Sequence, residues 1–391
     1  MNNWRLTAAV LALALAGCGG GDITTWLSSY TKEKPAELVP LTNEVAITTI
    51  WSANVGAGGA GTGARLRPRI EGGTVYAAAA KGQVTALDAA TGRQIWKVDI
   101  DQEVTGGPGS GDGLVLVGTV DGEVVALDAS TGTKRWTSRV PSEVLSTPAV
   151  GQGVVVVHSL DGRLTGLDAA DGKQRWQYER VASGLGLRGS SSPVISGSRA
   201  ISGLAGGRLV AVELSTGYAV WETTITLPAG RTDLERVVDI LGEPLQLAGQ
   251  VFVGTYQGEV AALYDSSGQV AWRRKVSSFS GLATDGRALY LSDDQNVVWA
   301  VDLRDGAALW KQEGLRGRKL SGPAAIDGLV VVGDLEGYLH WLSPSDGRMV
   351  ARTRVGSAPI TAQPKVVDGI LFVLGDDGDL AALRAGGGVA P

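Results

Sequence analysis

The sequence has one cysteine, Cys18, in 391 residues, and only two histidines, His158 and His340. A single thiol excludes an intrachain disulfide, and with so few imidazoles it excludes the Cys/His clusters that bind structural zinc. His158 and His340 lie far apart in strand-like runs, so each reads as a packed or hydrogen-bonded structural residue. Charged residues make up 19% of the chain, with a formal net charge of −5. No dense Lys/Arg run occurs; Arg316, Arg318 and Lys319 come nearest, and they read as a solvated loop. A nucleic-acid partner, which normally leaves a basic footprint, is therefore not expected. Also missing are G-x-S-x-G, H-E-x-x-H and a Gly-rich loop opening a helix, the marks of common hydrolases, zinc proteases and phosphate cradles.

What the chain does have is glycine, 57 of them, about twice ordinary usage. They punctuate a repeat. Residues 83–96 read QVTALDAATGRQIW, residues 123–136 EVVALDASTGTKRW, and residues 163–176 RLTGLDAADGKQRW. Weaker copies end at Trp221, Trp272, Trp310 and Ala351, so the spacings from Trp96 onward are 40, 40, 45, 51, 38 and 41 residues. Forty residues of short strands and turns is the length of one four-stranded propeller blade.

Within a copy, alternation and turn residues predict strands over 114–118, 123–128 and 133–140, with 146–150 opening the next unit. Asp121-Gly122 suits a type I′ hairpin, and Thr131-Gly132 a second turn in which Asp and Thr side chains bond backbone amides. The Trp that ends each copy is placed to lie across the neighbouring blade. The last copy, residues 369–383, stops before its second turn and outer strand. Residues 46–55 supply a lone strand with Trp51. The expected fold is an all-β, eight-bladed propeller over residues 44–385, with four antiparallel strands per blade and the last blade closed by the N-terminal strand. Residues 386–391 are expected to be a disordered tail.

Residues 1–17 have a positive start at Arg5 and an apolar stretch over 6–17 ending in small residues. This is a signal-peptide pattern, too short to span a bilayer. Leu15-Ala16-Gly17-Cys18 resembles the bacterial lipobox, which implies that the Cys18 thiol is lipidated and becomes the mature N-terminus. Gly19 in the next position implies sorting to the outer membrane. Residues 18–43 are expected to form the lipidated terminus and a flexible tether, polar and without period.

The pattern Ala86, Asp88, Gly92, Trp96 resembles the tryptophan-docking motif of quinoprotein dehydrogenases, eight-bladed enzymes that use pyrroloquinoline quinone and calcium. This resemblance keeps an oxidoreductase open as an alternative, beside a periplasmic propeller that binds a small ligand in its channel. Against the enzyme stand the shorter chain, the lack of the adjacent cysteine pair found beside the quinone in many of those proteins, and the use of most acids in Asp-Gly turns. The expectation is a binding scaffold with no catalytic residue, no metal and no cofactor.

Breaks in a repeat are where function is inserted. The two long spacings place extra residues between Trp176 and Gly197 and between Trp221 and Gly249, in connections that should lie side by side on one rim. The first contains VASGLGLRGSSS (181–192); the second contains RTDLERVVDILGE (231–243), where a short helix carrying Asp233, Glu235 and Asp239 is expected. Exposed Leu and Arg beside acids have the composition of a protein-binding hot spot. The stretches LGLRG (185–189) and GDLEGYLHWLSPSDGR (333–348), with the lipobox and the blade count, resemble the BamB family, propeller lipoproteins of the bacterial β-barrel assembly machinery (BAM complex). That resemblance covers residues 18–385. It implies docking on the periplasmic POTRA domains of the BamA-type barrel subunit, as a monomer within a hetero-complex at the outer membrane, with nascent outer-membrane proteins as a second candidate partner. The family's Leu-x-Leu-Arg contact loop carries over to Leu185, Leu187 and Arg188. Of its two acids in the next blade's loop, Asp239 matches one, and Leu241 stands in place of the other.

Overall fold

Among the described residues eight sheets follow one another along the chain, each a run of four antiparallel strands. In the last sheet the fourth strand is Ala46–Asn54, and the second sheet also carries the short strand Arg65–Leu66 in parallel beside Val104–Gly111. The computed structural model describes residues 34–58, 65–180 and 186–386. Blade 2 shows the local logic. Its inner strand Val104–Gly111 is followed by Leu114–Thr119, Glu123–Asp128 and the outer strand Lys134–Arg139. The two middle strands are apolar almost throughout because both of their faces are covered by neighbouring blades, whereas in the outer strand only Trp136 is buried. Leu114, Leu116, Ala126 and Trp136 pack against Val155, Val157 and Leu167 of blade 3, and each such apolar cluster joins two adjacent blades.

The two turns differ from one another. At Asp121-Gly122 the type I′ expectation is corrected: only Gly122 has a positive φ (74°), and its N–H bonds the Thr119 carbonyl at 3.2 Å. The chain therefore makes a type I turn through Val120 and Asp121 and uses the glycine to rejoin the strand. At the second turn the Asp128 carboxylate accepts from the Ser130 and Thr131 N–H groups, both at 3.0 Å, as the sequence suggests. Gly132 there has φ 73°, and a Cβ on it would fall 2.7 Å from the Trp96 ring. The preceding blade's Trp lies flat on this glycine and donates its indole N–H to the Ala129 carbonyl at 2.9 Å. Trp51, Trp136, Trp176, Trp221, Trp272 and Trp310 repeat the contact on the next blade.

The eighth junction explains why the copy ending at Ala351 has no tryptophan. Blade 8 consists of Lys365–Val367, Ile370–Leu374 and Asp379–Gly386, with Ala46–Asn54 as its outer strand, in register from Ala46↔Gly386 to Asn54↔Asp379. Because that outer strand comes from the other end of the chain, no second turn exists for a blade 7 tryptophan to cover. The approaching N-terminal segment occupies the place instead. Glu44 N–H bonds the Val350 carbonyl, Asn43 pairs with the Arg352 backbone, and Arg318 reaches the Ala36 carbonyl at 2.9 Å. Closure is completed by Trp51, Phe372 and Leu380 of blade 8 packing on Val75 and Leu87 of blade 1.

Candidate partner-docking surface

The connection from Tyr178, which ends the outer strand of blade 3, to Val194, and that from Thr224, the end of blade 4, to Leu245 are the two long ones. Each links an outer strand to the next inner strand, so both emerge on the same face. The base of the first is sewn into the core by hydroxyls. The Ser191 hydroxyl donates to the Gly242 carbonyl at 2.7 Å, and Ser192 Oγ accepts from Thr147 N–H and Arg67, both at 3.0 Å. His158 is fully enclosed, with Nδ1 3.0 Å from the Ser191 carbonyl. Beyond this base, Leu187 is half-buried and Arg188 exposed. Arg188 leans toward blade 2 and pairs with Glu143 at 2.7 Å, a carboxylate with little exposure of its own.

The second connection is not helical. Thr232 and Glu235 make a capping box, with Glu235 Oε2 accepting from the Arg231 and Thr232 N–H groups and Thr232 Oγ1 accepting from Glu235 N–H. Only two successive i→i+3 turns follow, Arg236 N–H to Asp233 O and Val237 N–H to Leu234 O. The helix expected over residues 231–243 stops there because all five consecutive residues from Val237 to Leu241, Asp239 included, are buried, which no single helical face permits.

Asp239 sits in this buried run at 4% exposure. Its Oδ2 accepts the Leu187 N–H at 2.7 Å and its Oδ1 the Gly206 N–H at 3.0 Å. The two repeat-breaking connections are thus brought together, with the carboxylate beneath the loop and turned onto its backbone. Leu241 is buried as well. Leu185 and Cys18 lie outside the described residues, as do residues 1–17, where a signal peptide is expected, and residues 387–391. On the same face the structure adds residues that the sequence reading did not single out. Leu227 is 75% exposed and Leu234 63%. Tyr256 stacks edge-on against Phe279 at 5.9 Å, and its N–H bonds the Asp239 carbonyl. For Leu227 and Leu234 the signal in the sequence was the same as for the first loop, large apolar residues inside a long connection, whereas Tyr256 and Phe279 lie in short turns and connections common to the blades and carry no such signal.

The nearest approach to catalytic chemistry lies elsewhere and is sealed. His340 Nε2 is 2.8 Å from Asp334 Oδ2, and Arg318 Nε donates to the same oxygen at 2.7 Å, with all three side chains buried. Asp334 Oδ1 accepts the Glu336 and Tyr338 N–H groups, so the group pins a turn of blade 7. Among the described residues no set of His, Cys, Asp or Glu side chains is arranged to hold a metal.

The family model described as outer membrane protein assembly factor BamB matches residues 45–99, 80–312 and 304–390. An outer membrane protein assembly factor BamB from Alkalilimnicola ehrlichii is 50% identical over 384 residues, covering 98% of this chain and 97% of that one. The chain belongs to the BamB family. The crystal structure of BamB from Moraxella catarrhalis superposes with a TM-score of 0.79 at 25% identity, over 87% of this chain and all of that one. Quinohemoprotein alcohol dehydrogenase from Comamonas testosteroni matches at a TM-score of 0.66 over 88% of this chain and 77% of its own. At 14% identity that likeness is one of fold alone. Membership of the BamB family makes the chain an assembly factor and not an enzyme.

His158 gives the base of the loop a pH dependence. Burial pushes its imidazole down to about 4, against a weaker opposing effect of the Ser191 carbonyl. A base with a depressed folded value is neutral in the fold, so its contribution is intact above the unfolded value near 6.5 and is lost as pH falls toward 4. The expected loss is roughly 3 kcal/mol at most. Melting temperatures should decline across that window in the natural chain and less steeply in His158→Gln. His340, shifted in the same direction, retains part of the slope.

Proposed function

We propose that this assembly factor is a lipid-anchored scaffold, held at the outer membrane through Cys18 and facing the periplasm. It docks on the POTRA domains of a BamA-type barrel subunit and assists the folding and insertion of outer-membrane proteins. The observation that carries the reading is the Leu187 N–H to Asp239 bond at 2.7 Å, which joins the two connections that break the repeat and holds Arg188 outward between blades. Leu185, Leu187 and Arg188 are the anchor, and Asp239 is the residue that aims it. Leu227 and Leu234 extend the apolar part of the same face. The chain acts as a monomer within the hetero-complex, and its propeller needs no cofactor for this role.

The test separates anchoring from docking. The full chain, isolated from outer membrane in mild detergent, should bring the barrel subunit with it in stoichiometric amount, and soluble POTRA domains should displace it. Cys18→Ser should leave the membrane fraction yet still bind those domains. A full chain that sediments with the outer membrane but carries no barrel subunit would overturn the docking reading. A Cys18→Ser chain that fractionates unchanged would overturn the anchor.

A further inference from the structure

The central channel is bridged at one mouth by charge. Arg67, just before the blade 1 inner strand Arg69–Glu71, pairs with Glu243, just before the blade 5 inner strand Leu245–Leu247, at 3.0 Å. Blades 1 and 5 are opposite in an eight-membered ring, so this pair spans the channel. Lys365, the first residue of the blade 8 inner strand, meets the same Glu243 oxygen at 3.3 Å. Gln363 crosses from blade 8 to the Leu282 and Pro323 carbonyls of blades 6 and 7. This mouth opens on the face that carries Leu187 and Arg188.

The charges do not balance. Arg69 opens the blade 1 inner strand as Lys365 opens that of blade 8, and these two strands are in contact, so both cations stand at one level on adjacent blades. The first residues of the other six inner strands are Val104, Ala149, Val194, Leu245, Leu282 and Ala324, all uncharged. Three cations thus face one carboxylate. Burial alone would raise Glu243, but Lys365, Arg67 and Arg69 together hold it down to about 2, and it stays ionised. On this face Glu143 is committed to Arg188, and Asp239 to the Leu187 and Gly206 amides. Arg67 is used up by Glu243 and Ser192, whereas Arg69 spends only its Nε, on Ser110 at 3.3 Å. Its two terminal nitrogens and the remaining Lys365 protons have no partner among the described residues. The opposite mouth has the other sign, with Glu71, Asp112, Asp285, Asp327 and Asp368 at the turns that follow inner strands against one cation at those turns, Arg287. A channel polarised in this way, with low-dielectric walls, concentrates anions at its basic end.

We propose that this mouth is a binding site for an oxyanion, a carboxylate or phosphate, taken between Arg69 and Lys365 opposite Glu243. A planar guanidinium fork beside an ammonium matches two or three oxygens carrying one or two negative charges. Glu243 occupies part of the site as an internal anion and sets its affinity.

The experiment is calorimetric titration of the full chain in non-ionic detergent with inorganic phosphate and, separately, with citrate, at ionic strength held constant with chloride. Saturable binding of either is expected; the two arms tell a phosphate from a carboxylate preference. Arg69→Gln and Lys365→Gln should each weaken it roughly tenfold or more. Glu243→Gln should strengthen it, since the competing carboxylate is gone, and that sign is not expected of a purely structural ion pair. No saturable binding above the chloride control would overturn the proposal, as would equal affinity in Arg69→Gln. Arg69 is exposed, so its replacement leaves the fold intact and decides the matter even where Glu243→Gln fails to fold.

Discussion

Deleting residues 44–54 is expected to turn the propeller from a closed ring into an aggregating one. The loss exposes the whole edge of Asp379–Gly386, which is paired along its length with Ala46–Asn54. An unpaired, largely apolar edge recruits other chains. It also removes Trp51, which closes the ring by donating to the Ala89 carbonyl and lying on Gly92 of blade 1. Replacing a buried tryptophan alone typically costs about 3–5 kcal/mol, a large share of the roughly 5–15 kcal/mol that holds a domain together. Urea unfolding followed by tryptophan fluorescence should show a collapse of the midpoint. A synthetic peptide of residues 44–55 should recover part of it by supplying the strand in trans. A soluble, monomeric deletion variant with an unaltered midpoint would mean that the ring does not depend on this clasp.

That clasp was legible in the sequence because the repeat is defined by what its turns demand. The Asp-x-x-x-Gly-x-x-x-Trp spacing records a carboxylate that bonds two amides, a glycine that admits the preceding blade's ring, and a ring that covers the next blade's glycine. The absence of tryptophan at Ala351 was equally a record of the missing turn in blade 8. Legibility failed where two local structures share residues. Asp-Gly serves a type I′ hairpin or a type I turn with a following left-handed glycine, and only strand register separates them. Thr232-x-x-Glu235 is a good helix start, yet Val237, Val238 and Ile240 pull the chain into an extended buried run. Ala36 and Val39, in a stretch that reads as tether, have their carbonyls held by Arg318 and Arg352. Composition carries no trace of those long-range bonds.

Replacing Leu185, Leu187 and Arg188 together with alanine is expected to abolish capture of the barrel subunit while leaving the melting temperature within a few degrees of the natural chain. Arg188 is exposed and Leu187 half-buried, so neither is core, and the serines that fix the loop remain. Central anchors of this kind cost roughly 2 kcal/mol or more each on truncation, about thirtyfold in affinity. Asp239 separates this reading from one in which acids meet the partner directly. Asp239→Ala leaves the Leu187 and Gly206 amides without their acceptor, about 1–3 kcal/mol for a buried group, and frees the loop from its aim. Asparagine is no substitute, because its NH₂ faces one of those two amides, donor against donor. If Asp239 acts only by positioning, its effect on affinity should shrink in a chain that already carries Leu187→Ala and Arg188→Ala, while its effect on stability persists unchanged. A double-mutant cycle with soluble POTRA domains measures the difference directly. Full additivity in affinity would place the Asp239 carboxylate in contact with the partner, which requires the loop to lift off it on binding. Strong coupling leaves the carboxylate where the structure has it, underneath, setting the direction in which Arg188 points.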